Sequence, residues 1–210
     1  MNRLKNALEW VRRQTNLRTK QARMLSDGIQ GEFLQAFSLM VRPGSILEIG
    51  TFTGYSSICL SRGMKSGGHL DACEIDDELT DIIRGGWERA GISATLFTGD
   101  AQEIIPSLSG PYDIVYIDAD KRQYSKYYSL VFDKVSPGGW ILVDNTAWSG
   151  RVISGFSQNA TLETAHSRRD RHDPQTEALI AFDSMIRSDS AIEYITLPIR
   201  DGLTIIRKTE

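Results

Sequence analysis

The chain has little of what marks a disulfide-built, membrane-spanning or polyanion-coating protein. Only two of its 210 residues are cysteine, Cys59 and Cys73, and both lie inside apolar segments without CxxC or zinc-type spacing. A disulfide scaffold and a zinc module are thereby set aside, and two reduced thiols packed as small core residues in a cytoplasmic protein are expected. No apolar run approaches the roughly 20 residues of a membrane span. The opening MNRLKNALEW holds no signal-peptide core, which adds to the cytoplasmic expectation. Neither sign of charge is in excess: 24 Lys and Arg stand against 27 Asp and Glu, a net charge of −3. The chain as a whole is therefore not built to coat a nucleic acid. With no repeats and no low-complexity tract, residues 1–210 are expected to form a single domain with appendages.

What is present is an alternation of short apolar runs with amphipathic stretches of helical length, beginning at Ser45. That is the pattern of an α/β fold with a largely parallel sheet. Strands are predicted over 45–49, 69–75, 94–98, 112–117, 139–143, 192–198 and 203–207. Helices are predicted over 78–90, closed by Gly91, and over 123–135, before Pro137-Gly138-Gly139. The last two strands are joined by Ile199-Arg200-Asp201-Gly202, whose Asp-Gly is a hairpin signal, so the final strand should be antiparallel to its partner. A mixed sheet of about seven strands results.

Two regions stand outside this alternation. Residues 1–44 read as an N-terminal helical appendage, in which residues 1–23 carry seven Lys or Arg and one acid, Glu9. Leu4, Ala7, Leu8 and Val11 recur there at helical spacing, so one face is apolar and the other basic. Such a helix packs on its own domain or on a dimer partner, or else serves as an RNA-binding arm. The stretch Ser149 to Gln175, 27 residues with Gly, Ser and Asn and then a charged run containing His166 and His172, exceeds an ordinary connection. It reads as a long loop on the active-site side or a surface excursion.

In an open parallel sheet, ligands bind beyond the carboxyl ends of the strands, so those ends are where chemistry is sought. The first gives Gly50-Thr-Phe-Thr-Gly54, a glycine turn without the GxGxxG of a dinucleotide fold or the GK[ST] of a phosphate loop. The second ends in Glu74, placed to accept hydrogen bonds from ribose hydroxyls, and the third in Asp100, placed to meet an adenine amine or to cap a helix. An acidic lining repels phosphate, so the adenosine cofactor this suggests is not anionic. The fourth and fifth strands end in Asp118 and in Asp144-Asn145. Two carboxylates and an amide are hard oxygen donors that suit Mg²⁺, or alternatively Ca²⁺ or Mn²⁺, better than zinc. The plainer alternative is that these residues cap helices or turns.

The segments LEIGTFTGYS, YDIVYIDADKRQYSKYY, PGGWILVDNTAWSGRV and DGLTIIRK together resemble the cation-dependent class I S-adenosylmethionine O-methyltransferases, the group of catechol and caffeoyl-CoA O-methyltransferases. The resemblance spans about residues 20–208. It implies the Rossmann-like class I methyltransferase fold, with seven strands, helices on both faces and the last strand inserted antiparallel beside the fifth. It assigns Glu48, Gly50, Thr51 and Ser56 to the methionine part of the cofactor, Glu74 to the ribose, and Asp100 and Ala101 to the adenine. Ser26 is implied as a cofactor-contacting hydroxyl and Asp120 as a contact to the methionine amine, with Asp118 also at the cofactor. Asp118, Asp144 and Asn145 match the metal ligands, and Lys121 matches the proposed catalytic base, whose alternative role is an ion pair with Asp118 or Asp120. Tyr124 and Trp148 are candidate aromatic walls for a planar acceptor, or core residues. Ser149 stands where plant members often have a substrate-contacting Asn, which speaks against a caffeoyl-CoA acceptor.

The expected activity is transfer of a methyl group to one hydroxyl of a small catechol-like acceptor by a cytoplasmic enzyme, a homodimer as the family resemblance suggests. Two alternatives are methylation of a hydroxylated uridine in tRNA, with the basic N-terminal helix on the RNA backbone, and a non-catalytic protein that only binds S-adenosylmethionine.

Overall fold

The computed structural model describes residues 2–152 and 173–209, and its centre is one seven-stranded sheet. The strands are β1 (Ser45–Ile49), β2 (His69–Glu74), β3 (Ala94–Thr98), β4 (Tyr112–Ile117), β5 (Val135–Asp144), β6 (Ile192–Leu197) and β7 (Leu203–Lys208). Their order is β3-β2-β1-β4-β5-β7-β6. Only β7 runs against the rest, antiparallel to both β5 and β6, so the hairpin expectation and the implied insertion beside the fifth strand both hold. The helices are α1 (Asn2–Arg18), α2 (Ile29–Val41), α3 (Tyr55–Ser61), α4 (Thr80–Ala90), α5 (Ala101–Ile104), α6 (Tyr124–Val131) and α7 (Pro174–Ser188).

The central strands read as continuous apolar runs because both of their faces are covered. Leu47, Ile49, Val115 and Ile117 pack with α6 and α7 through Tyr124, Tyr128, Leu179 and Phe182. Ile46, Ile114 and Tyr116 point the other way, toward Val11, Leu34, Ile58 and Ile82 of α1 to α4. Successive strand residues thus feed two separate cores. Several predicted boundaries move. The helix expected from residue 78 opens as a 3-10 turn, Asp77–Leu79, with α4 following, because the Asp76 carboxylate accepts from the Glu78 N–H and tightens the entry. The helix expected over 123–135 is likewise divided, with 3-10 turns at Lys121–Gln123 and Phe132–Lys134 on either side of α6.

The N-terminal helix is a packed element. Ala7 and Val11 are fully buried, and Gly85-Gly86 of α4 explains how they come so close. A Cβ on Gly86 would lie 2.6 Å from Val11 Cγ2, and one on Gly85 2.9 Å from the Trp10 ring. Two glycines inside a helix cost about 1 kcal/mol each in propensity, which the α1 contact offsets. The basic face is partly used within the chain: Arg3 caps the carbonyls of Glu88 and Arg89 at the end of α4, and Arg18 pairs with Asp81. No helix among the described residues is long and apolar enough to cross a membrane. Most of the predicted 149–175 loop, including His166 and His172, lies outside the described residues.

The chain order reverses between β1 and β4. From β1 the chain moves outward through β2 and β3, then returns to β4 on the other side. Loops leaving neighbouring strands in opposite directions open a crevice at their carboxyl ends.

Candidate active site

The crevice is held open by the turn after β1. Gly50 stands at φ 87°, and a Cβ there would meet the Asp118 carbonyl oxygen at 2.2 Å, so only glycine fits. The Gly50 and Thr51 N–H groups both donate to the Cys73 carbonyl, and the Asp118 N–H donates to the Ile49 carbonyl at 2.9 Å. Three strand ends are thereby fixed to one another around a cleft of about 760 Å³.

Of the predicted residues, Gly50, Glu74, Asp100 and Ala101 line one part of this cleft, and Asp118, Asp120, Lys121, Asp144, Asn145 and Trp148 line the rest. Ser26, Thr51 and Ser56 line a small pocket of about 30 Å³ that shares Gly50, Phe52 and Asp118 with the larger one. The Glu74 carboxylate accepts from the Phe52 N–H at 2.5 Å and the Asp76 N–H at 3.0 Å, so the loop after β1 is tied to the end of β2. Asp100 caps α5 by accepting from the Gln102 N–H while still facing the cleft, which makes its two predicted roles compatible. Asp120 is held by Arg122 through a hydrogen-bonded ion pair at 2.7 Å, and that pairing keeps its carboxyl below the usual range.

Two residues sit apart from the cleft. Tyr124, expected as a possible wall, is fully buried: its hydroxyl donates to the Asp144 carbonyl at 3.0 Å and its ring meets Phe182 edge-on. It is a core residue behind the site, and Tyr127 of the same helix reaches the cleft instead. Glu48 lies beneath the glycine turn rather than in the opening. It is fully buried and accepts hydrogen bonds from Thr51, Ser56 and Ser57.

Burial lifts the Glu48 carboxyl to about 7, against the pull of the hydroxyls of Ser56, Ser57 and Thr51. A folded carboxyl with a raised pKa keeps a proton that the unfolded chain has released, so stability falls as pH rises from about 4.5 to about 7. Glu48→Gln cannot ionise and is expected to remove ~3 kcal/mol from the difference in unfolding free energy between pH 5 and pH 8. Urea denaturation at the two pH values measures this; identical pH dependence in both proteins would refute it.

The deep end of the cleft is more polar. Asp144 is 3% exposed. Its donors among the described residues are neutral: Gln30 Nε2 at 2.6 Å and the Tyr116 hydroxyl at 3.4 Å on Oδ2, and the Asn145 N–H at 2.8 Å on Oδ1. Burial, with Asp118 adding to it, pushes its carboxyl up to about 7. Asn145 stands at φ 56°, an uncommon conformation for a residue with a side chain. Lys121 Nζ pairs with Asp118 Oδ1 at 2.8 Å. Burial alone would lower the Lys121 ammonium, but Asp118, Tyr124 and Asp144 outweigh it and hold its pKa above the usual lysine range.

Two residues read in the sequence only as part of a hairpin turn complete the site. Asp201, at the β6–β7 turn, accepts from the Ser149 N–H with its side chain and from the Ala147 and Trp148 N–H groups with its carbonyl. Arg200 reaches across to the segment before α2, and both residues line the cleft. The Asp-Gly turn was legible as a hairpin; its grip on the loop after β5 was not.

Among the described residues no three His, Cys, Asp or Glu side chains gather as a metal centre. The donor set is instead two carboxylates and an amide. A buried carboxylate surrounded by neutral donors, beside a second carboxylate, is the chemistry that a hard divalent cation compensates. The residues therefore fit one.

The strand order, the antiparallel seventh strand and the cleft at the switch point define the Rossmann-like class I methyltransferase fold. A family model described as "O-methyltransferase" matches residues 2–209, so the chain belongs to the O-methyltransferase family and is an enzyme of that class. Among similar curated proteins is a catechol O-methyltransferase of Niastella koreensis, 30% identical over 174 residues, covering 80% of this chain and 72% of that protein. Another is caffeoyl-CoA O-methyltransferase 2 of Petunia hybrida, 28% identical over 193 residues, covering 88% and 76%. The solved O-methyltransferase from Bacillus cereus in complex with SAH superposes with a TM-score of 0.80 at 27% identity, covering 100% of this chain and 91% of that one. An SAH-bound methyltransferase of Podospora anserina gives 0.82 at 26%, covering 100% and 89%.

Proposed function

We propose that the protein transfers the methyl group of S-adenosylmethionine to one hydroxyl of a small vicinal-diol aromatic, with a divalent cation, Mg²⁺ first among candidates, bound by Asp118, Asp144 and Asn145. The observation that carries this reading is the convergence of acids from the ends of β2, β3, β4 and β5, Glu74, Asp100, Asp118 and Asp144, on one cleft. Glu74 would receive the ribose hydroxyls, and Asp100 and Ala101 the adenine. Gly50, Thr51, Ser56 and Ser26 would surround the methionine part, with Asp118 and Asp120 toward its amine. Glu48 supports that loop from below.

Methyl transfer from a sulfonium is an in-line displacement, and its rate depends on holding a deprotonated oxygen against the methyl carbon. When bound, the cation would lower the pKa of a chelated hydroxyl and fix its angle. Lys121 would accept the proton, and Trp148 would flank the ring. The two chains of a homodimer would each carry a complete cleft.

The test is incubation with methyl-labelled S-adenosylmethionine and separate acceptors: catechols, hydroxycinnamoyl thioesters and hypomodified tRNA, with and without EDTA. Label should enter a catechol, disappear with EDTA and return with Mg²⁺. Label on tRNA alone, or transfer indifferent to EDTA, would overturn the reading.

A further inference from the structure

Gln30, at the start of α2, joins three distant parts of the chain. It is 1% exposed, and its whole amide is engaged. Nε2 donates to Asp144 Oδ2 at 2.6 Å and to the Tyr116 hydroxyl at 2.9 Å, while Oε1 accepts from Arg200 Nη1 at 3.2 Å. The amide has donors at one end and an acceptor at the other, so its ends are not interchangeable. Turned over, it would set Oε1 against the Asp144 carboxylate and its NH₂ against the Arg200 guanidinium, and both contacts are repulsive. Arg200 therefore fixes which end of Gln30 faces Asp144.

Arg200 is held in turn. Its guanidinium donates to the Leu25 carbonyl at 2.6 Å and the Arg23 carbonyl at 3.1 Å, and its backbone stands at φ 50° in the β6–β7 turn. A carboxylate on a rotatable side chain presents its lone pairs in a defined direction only when both oxygens are pinned. Here the Asn145 N–H holds Oδ1 and Gln30 holds Oδ2. The neutrality of Gln30 matters as well. A Lys or Arg there would cancel the Asp144 charge and compete with a cation, and a Glu would repel it.

We propose that Gln30, oriented by Arg200, is the positioning residue that sets the direction in which Asp144 meets a divalent cation. The inference rests on the reading of Asp144 as a cation ligand. Partners of this kind, one bond removed from a metal, typically change metal affinity 10- to 100-fold when removed.

The experiment measures Mn²⁺ affinity by electron paramagnetic resonance and SAH affinity by calorimetry on the full chain. Gln30→Ala should weaken Mn²⁺ binding about tenfold or more and leave SAH affinity and cooperative unfolding unchanged. Arg200→Met should weaken Mn²⁺ binding less, and the double variant should be no weaker than Gln30→Ala, because Arg200 acts through Gln30. Should Gln30→Ala fail to fold, Gln30→Asn, which keeps the amide but not its reach, should show the same selective loss. Wild-type Mn²⁺ affinity in the folded variant, losses of Mn²⁺ and SAH affinity in equal proportion, or additive losses in the double variant would overturn the proposal. If the wild-type protein itself binds no divalent cation, the functional reading fails instead.

Discussion

Asp144→Ala is expected to lower kcat by about 10³ or more while SAH still binds with wild-type affinity. A cation that acidifies and orients the acceptor hydroxyl would contribute several kcal/mol, and each 1.36 kcal/mol is tenfold in rate. Asp144 closes β5, whereas Glu74 and Asp100, the acids proposed for the adenosine, belong to the ends of β2 and β3 across the cleft. Its loss should therefore reach the acceptor chemistry and spare the cofactor. Asp144→Asn is the companion variant, since it keeps the shape and an acceptor for the Asn145 N–H but removes the charge. It should lose activity to the same order, and neither variant should respond to added Mg²⁺ in the range where the wild type does. Stopped assays at saturating S-adenosylmethionine, paired with SAH calorimetry, make the measurement. Turnover within a few-fold of wild type in Asp144→Asn would show that the carboxylate charge is not needed.

Much of the sheet was readable because its strands are buried runs bounded by turn residues. The limits of β1, β3 and β4 coincide with the predicted ones. β5 begins at Val135, ahead of the predicted 139, because Pro137-Gly138-Gly139 reads as a turn. The sheet accommodates it through a register shift between Tyr112 and Ile114, opposite Val135 and Trp140. A Pro-Gly-Gly inside a strand is tolerable where the ladder is already interrupted.

The acids at the strand ends were legible for a related reason. A carboxylate closing a buried apolar strand is costly without a partner, so its presence points to a ligand or a cap. Of the two readings of Tyr124, wall or core, the structure shows the core one, and the sequence held the signal. Tyr124, Tyr127, Tyr128 and Val131 follow the i, i+3, i+4, i+7 spacing of a core-facing stripe, and all four are buried. Gln30 and Arg200 were beyond reach for a different reason. They meet across 170 positions of sequence, and a neutral amide carries no motif.

In the proposed reaction Lys121 would take the acceptor's proton, and its environment pulls two ways. The Asp118 ion pair and the nearby Asp144 hold the ammonium above its usual pKa, and a protonated amine is no base. With the proposed cation held by Asp118 and Asp144, their charge would no longer favour the ammonium, and burial, which alone lowers it, would prevail. Lys121→Met is expected to reduce kcat by about 10² to 10⁴, the usual range for losing a general base. The discriminating variant is Lys121→Arg. Arginine keeps the charge and a hydrogen bond to Asp118 but stays protonated at any working pH. If Lys121 takes the proton, Arg should be as inactive as Met, and the wild-type rate should rise with pH as the ammonium deprotonates, a limb that both variants lack. If Lys121 only orients Asp118, Arg should recover most of the activity with the wild-type pH profile. The two outcomes differ by orders of magnitude in kcat, so single-turnover rates of the three proteins between pH 6 and pH 9 separate proton transfer from carboxylate orientation.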